Sequence, residues 1–298
     1  MAGFTLRGAV TALVTPFTAD GSAVDWDAFE RHVEAQIQGG IQGLVPCGTT
    51  GESPTLGDVE HRELVARTVR VARGRVPVLA GAGTNNTMKT IELARGAVVA
   101  GADAVMVVMP YYNKPSQEGL VRHVGLVASA IDAPIVLYNV PSRTVVDLSA
   151  DTTLRILEKH PNVVGVKDAS GNVCYCQDLL RRAGDRVFVL SGDDPLTLPL
   201  LAVGAVGVIS VTSNLYPGQV NAVIDAFAAG RIAEARAKNF ALYPVHRALF
   251  MEPSPAPTKA ALNLQGRMNA TVRPPLVEAT EGCRQHLLGV FLHPSEAT

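Results

Sequence analysis

The stretch VVGVKDASG, residues 163–171, places a lysine directly after a run of valine and glycine that reads as a buried β-strand. Lysine is almost never fully buried unless it is paired or used, because removing its charge from water either costs several kcal/mol or lowers its pKa. Lys167 must therefore reach a wet edge or carry chemistry, and the choice depends on where strands of this kind end. Working outward, similar runs rich in Val, Ile and Leu recur at AVTALV (9–14), GLVPC (43–47), PVLAG (77–81), AVMVVM (104–109), PIVLYN (134–139), VFVLS (187–191) and VGVIS (206–210). Short continuous apolar runs fit strands covered on both faces of a parallel sheet. Between most of them lie segments with helical spacing, among them DAFERHVEAQIQGG (27–40), DVEHRELVARTVRVARG (58–74) and SQEGLVRHVGLVASAI (116–131). The first two close on glycine, as helices often do. Eight strand–helix units predict an α/β fold, a (β/α)8 TIM barrel.

The alternative is an open doubly wound sheet. LAGAGTNN (79–86) offers only Gly-Ala-Gly, without the third glycine of a nucleotide fingerprint, and reads as a tight strand-to-helix turn. Beyond the eighth run the chain continues through helical patterns at GQVNAVIDAFAAG, RIAEARAKNFALYPVHRALF and APTKAALNLQG, jointed by the proline-rich MEPSPAP (251–257). The expected organisation is a catalytic barrel over residues 1–225 and a C-terminal helical appendage over 226–298, with no second catalytic domain.

Composition sets the class. The 298 residues are 47% hydrophobic and 18% charged, which supports a large core in a soluble globular protein. Lys+Arg 26 against Asp+Glu 27 leaves a net charge of -1, with no basic stripe to follow a phosphate backbone, so nucleic acid is not an expected partner. The start, MAGFTLRGAV, lacks the form of a signal peptide, and no stretch approaches the roughly 18 uninterrupted apolar residues of a membrane span. Location in the cytoplasm, without a membrane partner, is expected. Cys47, Cys174, Cys176 and Cys283 are too few and too irregular for a disulfide framework or a zinc site, and read as free thiols.

A barrel of this type carries its active site at the C-terminal ends of its strands. The second run leads into GTTGES (48–53), the fourth into PYYNKPS (110–116), the fifth ends Tyr138-Asn139 before Pro141-Ser142-Arg143, the sixth ends on Lys167, and the seventh leads into SGDD (191–194). Most of these have a plain structural reading. Gly48 and Gly51 fit turn positions, Thr49 or Thr50 fits a helix cap, and Tyr111, Tyr112 and Tyr138 fit rim aromatics. Asp194 before Pro195 has the form of an N-cap followed by proline at N1, and Glu52 and Asp168 fit roles in holding loops. Lys167 is the exception. Its apolar run and neighbouring hydroxyls favour chemistry over a snorkelling surface role.

The chemistry that needs a desolvated lysine is Schiff-base formation, in which a neutral amine attacks a carbonyl. Dehydration of the carbinolamine and enamine formation then require a proton shuttle, which a tyrosine and a hydroxyl relay can supply. Tyr138, one strand before Lys167, is placed for that role, and Thr49 with Tyr112 can extend it. The backbone N–H groups and hydroxyls of the GTT turn suit a substrate carboxylate. The residues thus point to a lysine-dependent class I aldolase of a 2-oxo acid.

Taken together, GTTGES, PYYNKPSQEGL, YNVPSRT, VVGVKDASG, LSGDDPLTL and GVISVTSN resemble the dihydrodipicolinate synthase family within the pyruvate-dependent lyase superfamily, from about residue 5 into the C-terminal helices. The resemblance implies that Lys167 binds pyruvate as an imine with no separate cofactor, that Thr50 holds its carboxylate, and that Tyr138, Thr49 and Tyr112 form the proton relay. It implies further that Arg143 receives the carboxylate of aspartate β-semialdehyde and that carbonyls around Gly192 and Ile209 lie near the site. By the same resemblance the protein is a homotetramer, a dimer of dimers, with Tyr111 crossing a dimer interface. Ser53, His61, Asn85 and Tyr111 match the family's lysine-effector positions, whereas Asp58 and Lys89 replace a histidine and a glutamate, which implies weak or absent inhibition by L-lysine. Two other functions fit the lysine less well. A sugar-derived aldehyde, as in N-acetylneuraminate lyase or a 2-keto-3-deoxy sugar acid aldolase, would not use Arg143, and a silent 2-oxo acid-binding barrel would not need lysine, tyrosine and threonine together.

Overall fold

A computed structural model describes residues 4–292 of the chain. Its strands are β1 (Gly8–Ala12), β2 (Gly43–Val45), β3 (Leu79–Gly81), β4 (Ala104–Val108), β5 (Ile135–Asn139), β6 (Val163–Asp168), β7 (Phe188–Ser191) and β8 (Gly207–Ser210). Each run read as a strand forms one. They pair in parallel in the order β2-β1-β8-β7-β6-β5-β4-β3, and the circle is closed by a parallel bridge between Leu44 and Val78. The fold is a (β/α)8 TIM barrel.

Helices alternate with the strands: α1 (Trp26–Gln38), α2 (Asp58–Ala72), α3 (Thr87–Val99), α4 (Gln117–Ala128), the short α5 (Pro141–Thr144), α6 (Ala150–Lys159), α7 (Val173–Ala183), α8 (Thr197–Ala202) and α9 (Pro217–Ala228). Their starts follow local chemistry. The side chains of Asp25, Asn86, Ser116, Ser149 and Asn172 each accept a hydrogen bond from a backbone N–H in the first turn of the helix they precede, satisfying donors that have no partner inside the helix. LAGAGTNN forms β3 and the turn into α3, as its reading predicted.

Side chains alternate across each strand, as the two-residue period requires. Ala9, Val105, Val107, Leu137, Val166 and Val189 face the helices, while Val10, Ala12, Ala104, Met106, Val136, Tyr138, Leu190 and Ile209 form a second cluster inside the barrel. Gly165 lies two residues before Lys167, and a Cβ there would fall 2.5 Å from the ring of Phe188. The ring fills the space the glycine leaves free, so the lower barrel is closed by packing and Lys167 occupies the layer above it.

After α9 the chain forms α10 (Ile232–Ala248), α11 (Ala256–Leu264) and α12 (Glu281–Leu292). These pack on one another and on α9, and a third apolar cluster joins them to Val14, Val211 and Leu215 at the upper rim of the barrel. The expected division between residues 225 and 226 falls inside α9, which packs against β1 as the eighth barrel helix. Residues 1–3 and 293–298, at the outer ends of the two expected parts, lie outside the described residues. No helix among the described residues is long and apolar enough to cross a membrane.

Candidate active site

Strand register places the central pair. Tyr138 on β5 is the direct neighbour of Lys167 on β6, and Lys167 is in turn the neighbour of Leu190 on β7. Tyr138 and Lys167 are both 5% exposed, and the lysine Nζ lies 4.0 Å from the centroid of the Tyr138 ring. Backbone bonds lock the strand ends around them. Met109 N–H donates to Tyr138 O (3.0 Å), Ala169 N–H to Asn139 O (2.9 Å) and Gly192 N–H to Asp168 O (2.7 Å). Asn139 pins the loop that follows β5, its Nδ2 donating to Asp147 Oδ1 (2.8 Å) and its Oδ1 accepting from Leu148 N–H (3.0 Å).

Above this pair opens a cavity of about 890 Å³, within the range of small-molecule sites. Thr49 and Thr50 from the turn after β2, Tyr138, Arg143 on α5, Lys167, Gly192 and Asp193 all line it. These come from different strand ends, so most of the expected constellation is assembled. Gly192 has a steric reason to be glycine, because a Cβ there would lie 2.8 Å from Ala169 Cβ and 3.1 Å from Lys167 Cε.

Two expected members stand elsewhere. Tyr112 is 86% exposed on the loop after β4 and does not line the cavity of its own chain. The Ile209 side chain is buried inside the barrel with Tyr138 and Leu190 and does not line the cavity. Asp194 also departs from its expected role as a cap for the following helix. Its carboxylate instead accepts from Ser210 Oγ, Val211 N–H and Thr212 N–H, tying the loop after β7 to the loop after β8. The reason is position: Asp194 is itself the first residue of the short 3-10 turn and points across the rim, away from its own turn.

The sequence reading passed over the contribution of the C-terminal helices. Tyr243, Pro244, His246 and Arg247 of α10, Phe250, Met251 and Ser254 after it, and His286 of α12 form the far wall of the cavity. Pro244 within α10 was the available signal, since an internal proline removes a backbone hydrogen bond and marks a helix shaped by its surroundings. His246 is buried, with its Nδ1 2.7 Å from Thr212 Oγ1, and burial holds its pKa below the usual histidine range. Burial, and then the neighbouring Asp194, push the Asp193 carboxyl above the usual carboxylate range. Arg143 and Arg247 outnumber Asp193 among the other charged side chains that line the cavity, so the site favours anionic ligands.

A TIM barrel with a buried lysine at the end of β6, lying against a tyrosine one strand away under a cavity rich in cations and hydroxyls, defines a class I aldolase-type lyase. Residues 5–291 match the model of the dihydrodipicolinate synthetase family. The chain is similar to the 4-hydroxy-tetrahydrodipicolinate synthase of Sorangium cellulosum, 61% identical over 287 residues, 96% of this chain and 95% of the relative. Among solved structures it is similar to the dihydrodipicolinate synthase of Acinetobacter baumannii complexed with pyruvate (TM-score 0.95, 41% identity, 97% of this chain and 99% of the other). It is also similar to the enzyme of Cyanidioschyzon merolae with lysine bound (TM-score 0.95, 36% identity, 97% and 98%). The chain belongs to the dihydrodipicolinate synthetase family.

Proposed function

We propose that this chain condenses pyruvate with L-aspartate β-semialdehyde to 4-hydroxy-tetrahydrodipicolinate, the step that leads towards diaminopimelate and lysine. The observation that carries the reading is the desolvated Lys167 amine held against Tyr138 at the floor of a cationic cavity. The amine adds to the ketone carbon of pyruvate, and loss of water gives an imine. Loss of a methyl proton gives an enamine whose carbon attacks the aldehyde. The amino group of the second substrate then displaces Lys167 from the imine carbon, closing the ring and freeing the lysine. Tyr138 and Thr49 carry the protons between these steps. Since Tyr112 is exposed and does not line its own cavity, it joins the relay only when a neighbouring copy presents it, which agrees with a homotetramer built as a dimer of dimers.

Thr50 and the adjacent turn receive the pyruvate carboxylate, and the Gly192 and Ile209 carbonyl groups frame the reacting end. Arg143, exposed at the rim, receives the carboxylate of the aldehyde through its planar fork of donors. That residue separates this reading from a sugar-derived acceptor, whose hydroxyl groups would call for neutral partners. The lysine amine activates the carbonyl itself, so no separate cofactor is required, and the setting is the cytoplasm. Ser53, His61, Asn85 and Tyr111 form the proposed effector positions.

The test is pyruvate-dependent consumption of aspartate β-semialdehyde, followed by coupling to dihydrodipicolinate reductase and NADPH. Turnover by the wild type, its loss in Lys167→Ala, and borohydride trapping of a pyruvate adduct on the wild type only are the expected results. A folded wild type without turnover or adduct would overturn the reading.

A further inference from the structure

A second lysine lies buried outside the reaction just described. Lys259 of α11 and Glu52 in the GTTGES turn have fully buried side chains (0% and 0% exposed) and form an ion pair of 2.7 Å between Lys259 Nζ and Glu52 Oε1. The other carboxylate oxygen, Oε2, accepts from the backbone N–H of Arg273 (2.9 Å). Lys259 Nζ and the Arg273 guanidinium both lie against the ring of buried Phe17, at 4.1 and 4.2 Å from its centroid, and Arg273 is itself paired with Glu60. Burial pushes the Lys259 ammonium down to about 8, with Glu52 opposing the shift.

Stability alone does not account for such a pair. Taking both charges out of water offsets most of their attraction, and apolar side chains of similar volume often serve the fold as well or better. The geometry indicates what else the pair does. Glu52 has a left-handed backbone (φ 57°, ψ 37°), a conformation that disfavours residues other than glycine. Its backbone N–H donates to the carbonyl of Thr49 (3.1 Å), while Gly51 O accepts from Thr15 Oγ1 (2.7 Å). The C-terminal segment therefore grips Glu52 by both carboxylate oxygens, and Glu52 is one hydrogen bond from a residue in the cavity wall.

We propose that Lys259 is a positioning residue for the reaction: acting through Glu52, it fixes the GTTGES turn so that Thr49 and Thr50 face the pyruvate end of the cavity. The inference rests on the function proposed above. Arg143 sits on a separate element, α5, so the aldehyde end of the site does not depend on this pair.

The experiment compares wild type, Lys259→Met and the double variant Glu52→Gln/Lys259→Met, each checked for fold by circular dichroism and thermal unfolding. Steady-state constants are measured for both substrates, together with the rate of borohydride-trappable imine formation with pyruvate alone. In folded Lys259→Met, kcat/KM for pyruvate and the rate of imine formation are expected to fall at least about tenfold, the scale that small displacements of reacting groups produce. KM for the aldehyde is expected to stay within about twofold of wild type, since the pair does not contact that end. The double variant, which removes the unpaired buried carboxylate, should recover fold stability without recovering the pyruvate constants. A change confined to the amount of folded enzyme, with pyruvate constants unmoved, would overturn the proposal. So would loss of fold in both variants, because the pair would then hold the molecule as a whole rather than the turn. A wild type that forms no pyruvate adduct would instead sink the function and is recognised before any variant is compared.

Discussion

At the scale of single residues, Lys167 was the most legible feature, because a lysine near the end of an apolar strand calls for either a wet edge or a chemical use, and the structure buries it under a cavity. Register makes Lys167 the direct neighbour of Tyr138, which lies inside the barrel. Gly192 was legible only as part of a motif; its steric role required coordinates. Replacing it by alanine puts a methyl group against Lys167 Cε, and the lysine chain has to move. Gly192→Ala is expected to keep the fold and lose at least about tenfold in kcat/KM for pyruvate, measured by the coupled assay, from misalignment of the reacting amine. Tyr112 sits exposed on the loop after β4, and spacing shows which loop a side chain sits on but not which way that loop turns. Asp194 was misassigned for a related reason: cap patterns describe contacts close in sequence, whereas its partners lie across the rim at residues 210–212.

At the scale of elements, all eight strands could be read from short apolar runs, since a parallel strand covered on both faces has no polar alternation to confuse it. The short α5 after β5 could not, because a single turn starting at Pro141 carries no periodicity. Of the proposed effector positions, His61 lies on α2 and Asn85 just before α3, two helices that pack on each other. There Lys89 Nζ lies 2.6 Å from Asp58 Oδ2 and 3.2 Å from Glu92 Oε2, a partly exposed link between the two helices. The Lys89 ammonium already pairs with both carboxylates, and a positive charge there repels the ammonium groups of an incoming diamino acid. L-Lysine at up to about 1 mM is expected to inhibit the wild type by less than half, and Lys89→Glu is expected to increase sensitivity, both read from initial rates. Strong inhibition of the wild type in that range would overturn this reading.

For the molecule as a whole, buried histidines contribute to the response to acid. His32 is held by Asn214, its Nε2 2.9 Å from Asn214 Oδ1, and receives the Arg267 guanidinium at Nδ1 (3.3 Å). Burial, reinforced by the Arg267 charge, pulls its pKa down to about 4, and burial does the same for His123. The unfolded chain takes up protons on these rings near the ordinary pKa of about 6.5, whereas the folded chain does so only near 4. Their neutral forms therefore leave stability intact above about pH 6.5, and stability falls as the pH drops from there towards 4, by about 1.4 kcal/mol per pH unit for each ring. Urea unfolding across that window should show the decline, and His32→Gln should reduce its slope by one proton's worth even if the overall stability is lower. α10 and α11 were legible as helices whereas α12 was not singled out, and the part of α10 and α12 in the cavity was not legible either, since nothing in local spacing says that they lie over the mouth of the barrel.

The Lys259–Glu52 pair joins residues 207 positions apart in the chain. Proteins are made from the N-terminus onward, so all eight strands leave the ribosome while Glu52 still lacks its cation. A nascent chain halted after β8 would hold the complete barrel sequence, Lys167 included, with a carboxylate awaiting its partner at the turn that bears Thr49 and Thr50. Under the positioning role proposed for Lys259, catalytic competence waits for α11: a side chain made late in synthesis completes a turn made near its start.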